Sequence, residues 1–259
     1  MGNLLRKYCI ESMFFTVGIV LVLVYNYKCM PVKMFINGCS FLTPRPKCGV
    51  YTHCGIELAK LMDMEIEVNL AGGGRGNKRL IWTTRTWCEK FPEKAQNCFF
   101  LIGSSAGHRF DFPTLDGFKK EKFPTMETTW KTWDPNRNDA TRDFFKYLLA
   151  KGFDTDAATQ IESLLAILDL QDFFKLRKYP YVIYNTLSDA DITNPDVKLM
   201  YDSIDTQRFF KPETSHFDYT VSNNQHCVPG DPHPSTKGHE EWAKQLKKFI
   251  DANNLRTIQ

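Results

Sequence analysis

From residue 32 onward the chain alternates short apolar runs with helix-patterned stretches, and this alternation constrains its fold more than any other feature. Val32 to Asn37 is an apolar run that stops at Gly38 and reads as a buried strand. Gly55 to Met62 is patterned as a helix. Ile66 to Leu70 reads as a second strand, closed by Gly72, Gly73, Gly74 and Gly76. Asn77 to Phe91 is expected to be helical. Cys98 to Gly103 carries no polar side chain, as expected of a strand covered on both faces. Asp139 to Lys151 reads as a helix, and Ile161, Leu164, Leu165 and Leu168 place one apolar stripe on a longer one. Tyr181 to Tyr184 reads as a fourth strand. Ser235 stands before a last amphipathic helix carrying Trp242, Leu246, Phe249 and Ile250. Strands separated by helices predict a three-layer α/β/α fold around a mostly parallel sheet of the flavodoxin-like kind.

Size and composition agree with one domain over residues 30–259. The chain has 259 residues, 42% hydrophobic and 24% charged, with 20 Phe to build a core. The stretch 107–137 holds Pro113, Pro124 and Pro135 and reads as an irregular insertion. Residues 1–29 form a separate hydrophobic segment. Met13 to Tyr25 is an apolar run shorter than the ~20 residues of a spanning helix. Arg6 and Lys7 precede it, and no small-residue cleavage site follows. Three readings stand: a membrane anchor acting through residues 13–27, a cleaved signal, or translation starting at Met30 or Met34. The first associates the protein with a membrane, and the last makes it cytoplasmic.

A formal net charge of +3, with Lys119, Lys120 and Lys122 interrupted by Glu121, gives no basic footprint for nucleic acid. The eight cysteines contain no C-x2-C pair, which speaks against a zinc ribbon. His226, Cys227 and His233 lack supporting ligands nearby in sequence. Free buried thiols, with no metal and no organic cofactor, are the expectation.

In an open α/β sheet, ligands gather beyond the carboxyl ends of the strands. Ser40 follows the first predicted strand, the glycine cluster the second, and Ser104 and Ser105 the third. A serine hydroxyl needs a base, and the base an orienting partner. Gly230-Asp231-Pro232-His233-Pro234-Ser235 offers both. Asp231 and His233 each precede a proline, which favours extended backbone. Extended residues two apart project to one side, so the carboxylate can reach one imidazole nitrogen and leave the other for Ser40. This demands that the hydroxyl at 40 lie within hydrogen-bond reach of the imidazole at 233, with neither sealed in the core.

Asn37 to Phe41 resembles the first conserved block of the SGNH (GDSL-like) hydrolases, with Cys39 where an Asp is usual. Asn69 to Asn77 is similar to the second block, and Asp231 to His239 to the terminal Asp/His block. The resemblance implies a serine esterase with Ser40 as nucleophile and Asp231 and His233 as the pair that activates it. It also implies an oxyanion site using the amides of Ser40 and Gly74. The third block departs from the family: Ser105 falls nearest the usual oxyanion Asn, and Asn77 is an alternative donor. The implied substrate is a small-molecule, lipid or acetylated-glycan ester. An O-acyltransferase on the same scaffold and a non-catalytic binding domain with a decayed site are the alternatives. The sequence leaves the oligomeric state open.

Overall fold

The computed structural model describes residues 33–114, 129–133, 139–187 and 190–256. The hydrophobic segment and its three readings therefore lie outside the described residues. No described helix is long and apolar enough to cross a membrane. The main sheet has five strands: β1 (Lys33–Gly38), β2 (Glu65–Asn69), β3 (Cys98–Ser104), β6 (Tyr181–Asn185) and β7 (Phe209–Phe210). Their order is β2-β1-β3-β6-β7, and every pairing is parallel. This is the expected α/β architecture, with one strand more than the apolar runs announced. β7 is only two residues long, too short for a periodic pattern.

Alternate residues of each strand enter two separate cores. Phe35, Phe100, Ile102, Tyr181, Ile183 and Phe209 face one side, against α2 (Asn77–Lys90) and α5 (Thr155–Arg177). Met34, Ile36, Phe99, Leu101, Val182, Tyr184 and Phe210 face the other, against α1 (Cys54–Met62) and α8 (Thr236–Ala252). Because both faces are covered, the strands read as continuous apolar runs rather than as alternating ones. The remaining helices are α3 (Pro92–Ala95), α4 (Asp139–Ala150), α6 (Pro195–Asp202) and α7 (His216–Ser222).

Part of the stretch expected to be irregular is ordered. β4 (Phe110–Thr114) and β5 (Thr129–Trp133) pair antiparallel, Phe110 opposite Trp133. Asp111 explains the placement of β4. Its carboxylate accepts from the backbone N–H groups of Gly76 (3.1 Å) and Arg79 (2.9 Å) at the start of α2, where unpaired helical amides favour an anion. Phe110 packs on Phe145 of α4 with ring centroids 5.4 Å apart, and both rings line an apolar cavity together with Phe112 and Phe144.

Candidate active site

β1 and its neighbours diverge at their carboxyl ends: the connection to β2 leaves on one face and that from β2 to β3 returns on the other. The crevice formed at such a switch point holds the turn after β1. Two asparagines fix that turn. Asn37 donates to the Leu80 carbonyl (3.0 Å) and to Thr83 and Thr84 Oγ1 (both 2.9 Å), tying the end of β1 to α2. Its Oδ1 accepts from Gly38 N–H at 2.9 Å. Asn69, at the end of β2, donates to the Leu42 carbonyl (2.9 Å) and to His53 Nε2 (3.0 Å), and accepts from Ala71 N–H (2.8 Å). Gly38 is required by space: a Cβ there would sit 2.8 Å from the Gly103 carbonyl oxygen on β3. The chain can then turn sharply into the 3-10 turn Ser40–Leu42. Cys39 points inward, 3.1 Å from Thr186 Oγ1.

The second half of the site is the loop before α8. It is closed on itself by Cys227 N–H to the His233 carbonyl (2.8 Å) and Ser235 N–H to the Gln225 carbonyl (2.7 Å). Ser235 caps α8, its side chain accepting from Gly238 N–H. Within this loop the Asp231 carboxylate accepts from His233 N–H (2.9 Å) and lies 2.6 Å from Nδ1 of the same residue. Nε2 of His233 lies 2.8 Å from Ser40 Oγ. Ser40 and His233 are 9% and 6% exposed, so the pair opens narrowly to solvent without being sealed.

Arg45, which the sequence reading left aside, settles the tautomer. Its Nη2 donates to Asp231 Oδ2 (2.8 Å) and its Nη1 lies 2.9 Å from His233 Nε2. A guanidinium only donates, so Nε2 must present its lone pair and the ring proton must sit on Nδ1, facing Asp231. That is the form of imidazole able to take a proton from Ser40. Partial burial pulls the Asp231 carboxyl upward. The backbone and ring N–H of His233, with the charge of Arg45, outweigh it and hold the group down to about 2. Asp231 is therefore a fixed anion at neutral pH. Cys48 places its thiol 3.7 Å from Asp231 Oδ2. Burial, with Cys48 and Asp231 beside it, pushes the Cys227 thiol up to about 11.

The expected oxyanion residues are placed unevenly. Gly74 lies in the β2–α2 turn with φ +73° and open space around it. Asn77 spends both amide hydrogens elsewhere, on the Ser105 carbonyl (3.0 Å) and Ser163 Oγ (2.5 Å), while its Oδ1 accepts from Ser105 N–H (2.7 Å). It braces Ser105 rather than offering a donor to Ser40. Ser105 Oγ accepts from Arg109 Nη1 (2.9 Å), which leaves its own hydrogen available. Ser105 also lines a cavity of about 220 Å³ at the carboxyl edge of the sheet, with His108, Asp156, Gln160, Asn185 and Tyr201. Neither this cavity nor a larger groove of about 890 Å³ between α2 and α5 includes Ser40, Asp231 or His233.

A family model matches residues 48–258. The chain belongs to that family, a family of unknown function (DUF6071). The DUF6071 span includes Asp231 and His233; Ser40 lies just ahead of it. No curated protein matches the chain. Solved structures similar to it include one described as a GDSL-like lipase from Parabacteroides merdae, 13% identical, covering 87% of this chain and 97% of that one at a TM-score of 0.43. Another is a mutant of an acetyl-xylooligosaccharide esterase from Geobacillus, 14% identical, covering 85% and 96% at a TM-score of 0.43.

Proposed function

We propose that this DUF6071 protein is a serine esterase of the SGNH type that works through an acyl-enzyme. The observation that carries the reading is the unbroken line from Ser40 Oγ to His233 Nε2 (2.8 Å) and from His233 Nδ1 to Asp231 Oδ1 (2.6 Å). In this mechanism His233 takes the Ser40 proton as Oγ attacks the ester carbonyl. Asp231, already ionised, stabilises the imidazolium that forms. His233 then protonates the departing alcohol, and a water activated by the same imidazole releases the acid.

Arg45 gives the reaction a second moving part. The guanidinium shares Nε2 with the Ser40 hydroxyl in the resting site. Once Nε2 is protonated the two cations repel, and Nη1 is freed towards the developing oxyanion. In this reading it joins the Ser40 and Gly74 amides and the Ser105 hydroxyl, in place of the amide donor the family usually carries. The 220 Å³ cavity beside Ser105 is the proposed seat of the acyl or alcohol group.

Two measurements test this: labelling by a fluorophosphonate probe, and hydrolysis of a panel of short-chain, lipid and acetylated-sugar esters. Wild type should label at Ser40 and cleave at least one ester class, and Ser40→Ala should lose roughly 10³-fold or more in rate. Arg45→Ala should lower kcat by roughly 10–10²-fold while still labelling slowly. Folded wild type that neither labels nor cleaves any ester would leave a decayed, binding-only site.

A further inference from the structure

Behind the catalytic loop, three helix starts deliver side chains to one buried point. Cys54 begins α1, His216 begins α7 and His239 lies in the first turns of α8. One ligand atom from each, a sulfur and two imidazole nitrogens, lies within 4.8 Å of the other two. The residues are 0%, 0% and 1% exposed. Such a cluster in a hydrophobic core is costly unless its polar atoms are used. Yet neither ring nitrogen of His216, nor Nδ1 of His239, has a well-formed hydrogen bond.

The surroundings fix these rings instead of pairing them. His216 lies flat on Trp242, centroids 4.7 Å apart at 5°, and edge-on to His239 at 5.4 Å. The Tyr184 hydroxyl stands 3.1 Å from Cys54 Sγ, placed to donate to a thiolate.

We propose that Cys54, His216 and His239 bind one thiophilic metal ion, zinc or monovalent copper, in a structural site that ties α1, α7 and α8 together. On binding, the Cys54 thiol gives its proton to solvent. The sulfur and one lone pair from each neutral imidazole then form the three bonds to the metal. One soft sulfur and two imidazoles select such ions over magnesium or calcium. Zn–S and Zn–N bonds of about 2.3 and 2.0–2.1 Å bring ligand atoms somewhat closer than 4.8 Å, a shift that rotamers can absorb. Monovalent copper with a thiolate leaves the buried site neutral; zinc leaves one positive charge. Burial of all three residues leaves no approach for substrate, so the role is architectural. Phe41, next to the proposed nucleophile, touches both His216 (5.5 Å) and His233 (4.9 Å), so the site buttresses the catalytic histidine through one ring.

The test uses the untagged full chain, purified without chelators and analysed for metals by mass spectrometry. Separate aliquots are loaded with Zn(II), or with Cu(I) under ascorbate, then desalted. We expect about one equivalent of one of the two ions per chain, and a higher melting temperature in that arm. Protein loaded with Co(II) should show thiolate-to-cobalt charge transfer. Cys54→Ala should retain at least ten-fold less metal, whereas Cys88→Ala, which removes a buried thiol on the opposite face, should retain the wild-type amount. Folded wild type that keeps under a tenth of an equivalent of both ions overturns the proposal, as does folded Cys54→Ala that binds as well as wild type. Should Cys54→Ala fail to fold, the cobalt spectrum of wild type decides, and absence of the thiolate band is a negative result. Repeating the loading on Ser40→Ala separates this outcome from the esterase reading, since metal content does not depend on turnover.

Discussion

The two faces of the sheet are equally dry but satisfy their polar groups differently. Against α2 and α5 the buried polar side chains bond to their neighbours: Asn37 to three partners on α2, and Gln171 to both the carbonyl and the N–H of Asp205. The Tyr181 hydroxyl and Nη1 of Arg208, whose guanidinium lies over the Tyr181 ring, are exceptions there. Against α1 and α8, His216, His239 and the indole N–H of Trp242 are buried with unbonded atoms. Burial holds the His239 imidazole down to about 3 and that of His216 well below its ordinary range, so both rings are neutral. The first face ties its buried polar groups into the packing and, through Asn37, holds the turn that carries Ser40. The second, whose α8 follows the Asp231–His233 loop, leaves buried polar atoms that packing does not require.

Three substitutions or conditions probe this contrast. The largest effect belongs to the apolar face. Phe100 is fully buried among Phe35, Trp87, Phe174 and Tyr179, and Phe100→Ala should destabilise the fold by about 3–5 kcal/mol in denaturant melts. Activity per folded molecule should persist; its disappearance at full folding would blur the division between the faces. Next comes Asn37→Ala, which strands the hydroxyls and carbonyl it bonds on α2. A loss of about 2 kcal/mol is expected, together with lower kcat at unchanged KM, because the same side chain sets the turn that aims Ser40. A stability loss with an unaltered kcat would argue that the turn holds itself.

The smallest effect is a pH dependence at the loop. The Asp231 carboxyl lies at about 2 in the fold against an ordinary 3.8. A depressed carboxyl adds stability that is complete above about pH 4 and is lost as pH falls towards 2. The size is on the order of 1–2 kcal/mol for this mostly buried group. Urea melts at pH 5 and pH 2.5 should show this loss in wild type and not in Asp231→Asn. Equal losses in both would move the acid sensitivity elsewhere.

The parallel sheet was legible in the sequence because its strands are buried on both sides, so that burial and apolar runs coincide. β2, an exposed edge strand, still read as a strand through Ile66, Val68 and Leu70. β7 escaped because two phenylalanines carry no period. β4 escaped because its position depends on Asp111 reaching the start of α2, a contact that sequence spacing does not encode. The pairing of Asp231 with His233 was visible because both sit in one proline-stiffened loop. Arg45 was not, since nothing local marks an arginine that reaches a loop 186 residues away. The Cys54, His216 and His239 cluster was hidden for the same reason. Ligand spacing reveals only sites assembled within one loop or hairpin, and this one joins three separate helices.

Ser40 leaves the ribosome nearly two hundred residues before His233, the group it meets in the fold. The loop that carries His233 is anchored by Ser235 to α8, and α8 covers the sheet through Trp242, Ala243, Leu246 and Ile250. Ser40 and His233 therefore meet only when that last helix docks. In the esterase reading, activity switches on in one step at the close of folding, and no partly made enzyme can attack esters in its surroundings.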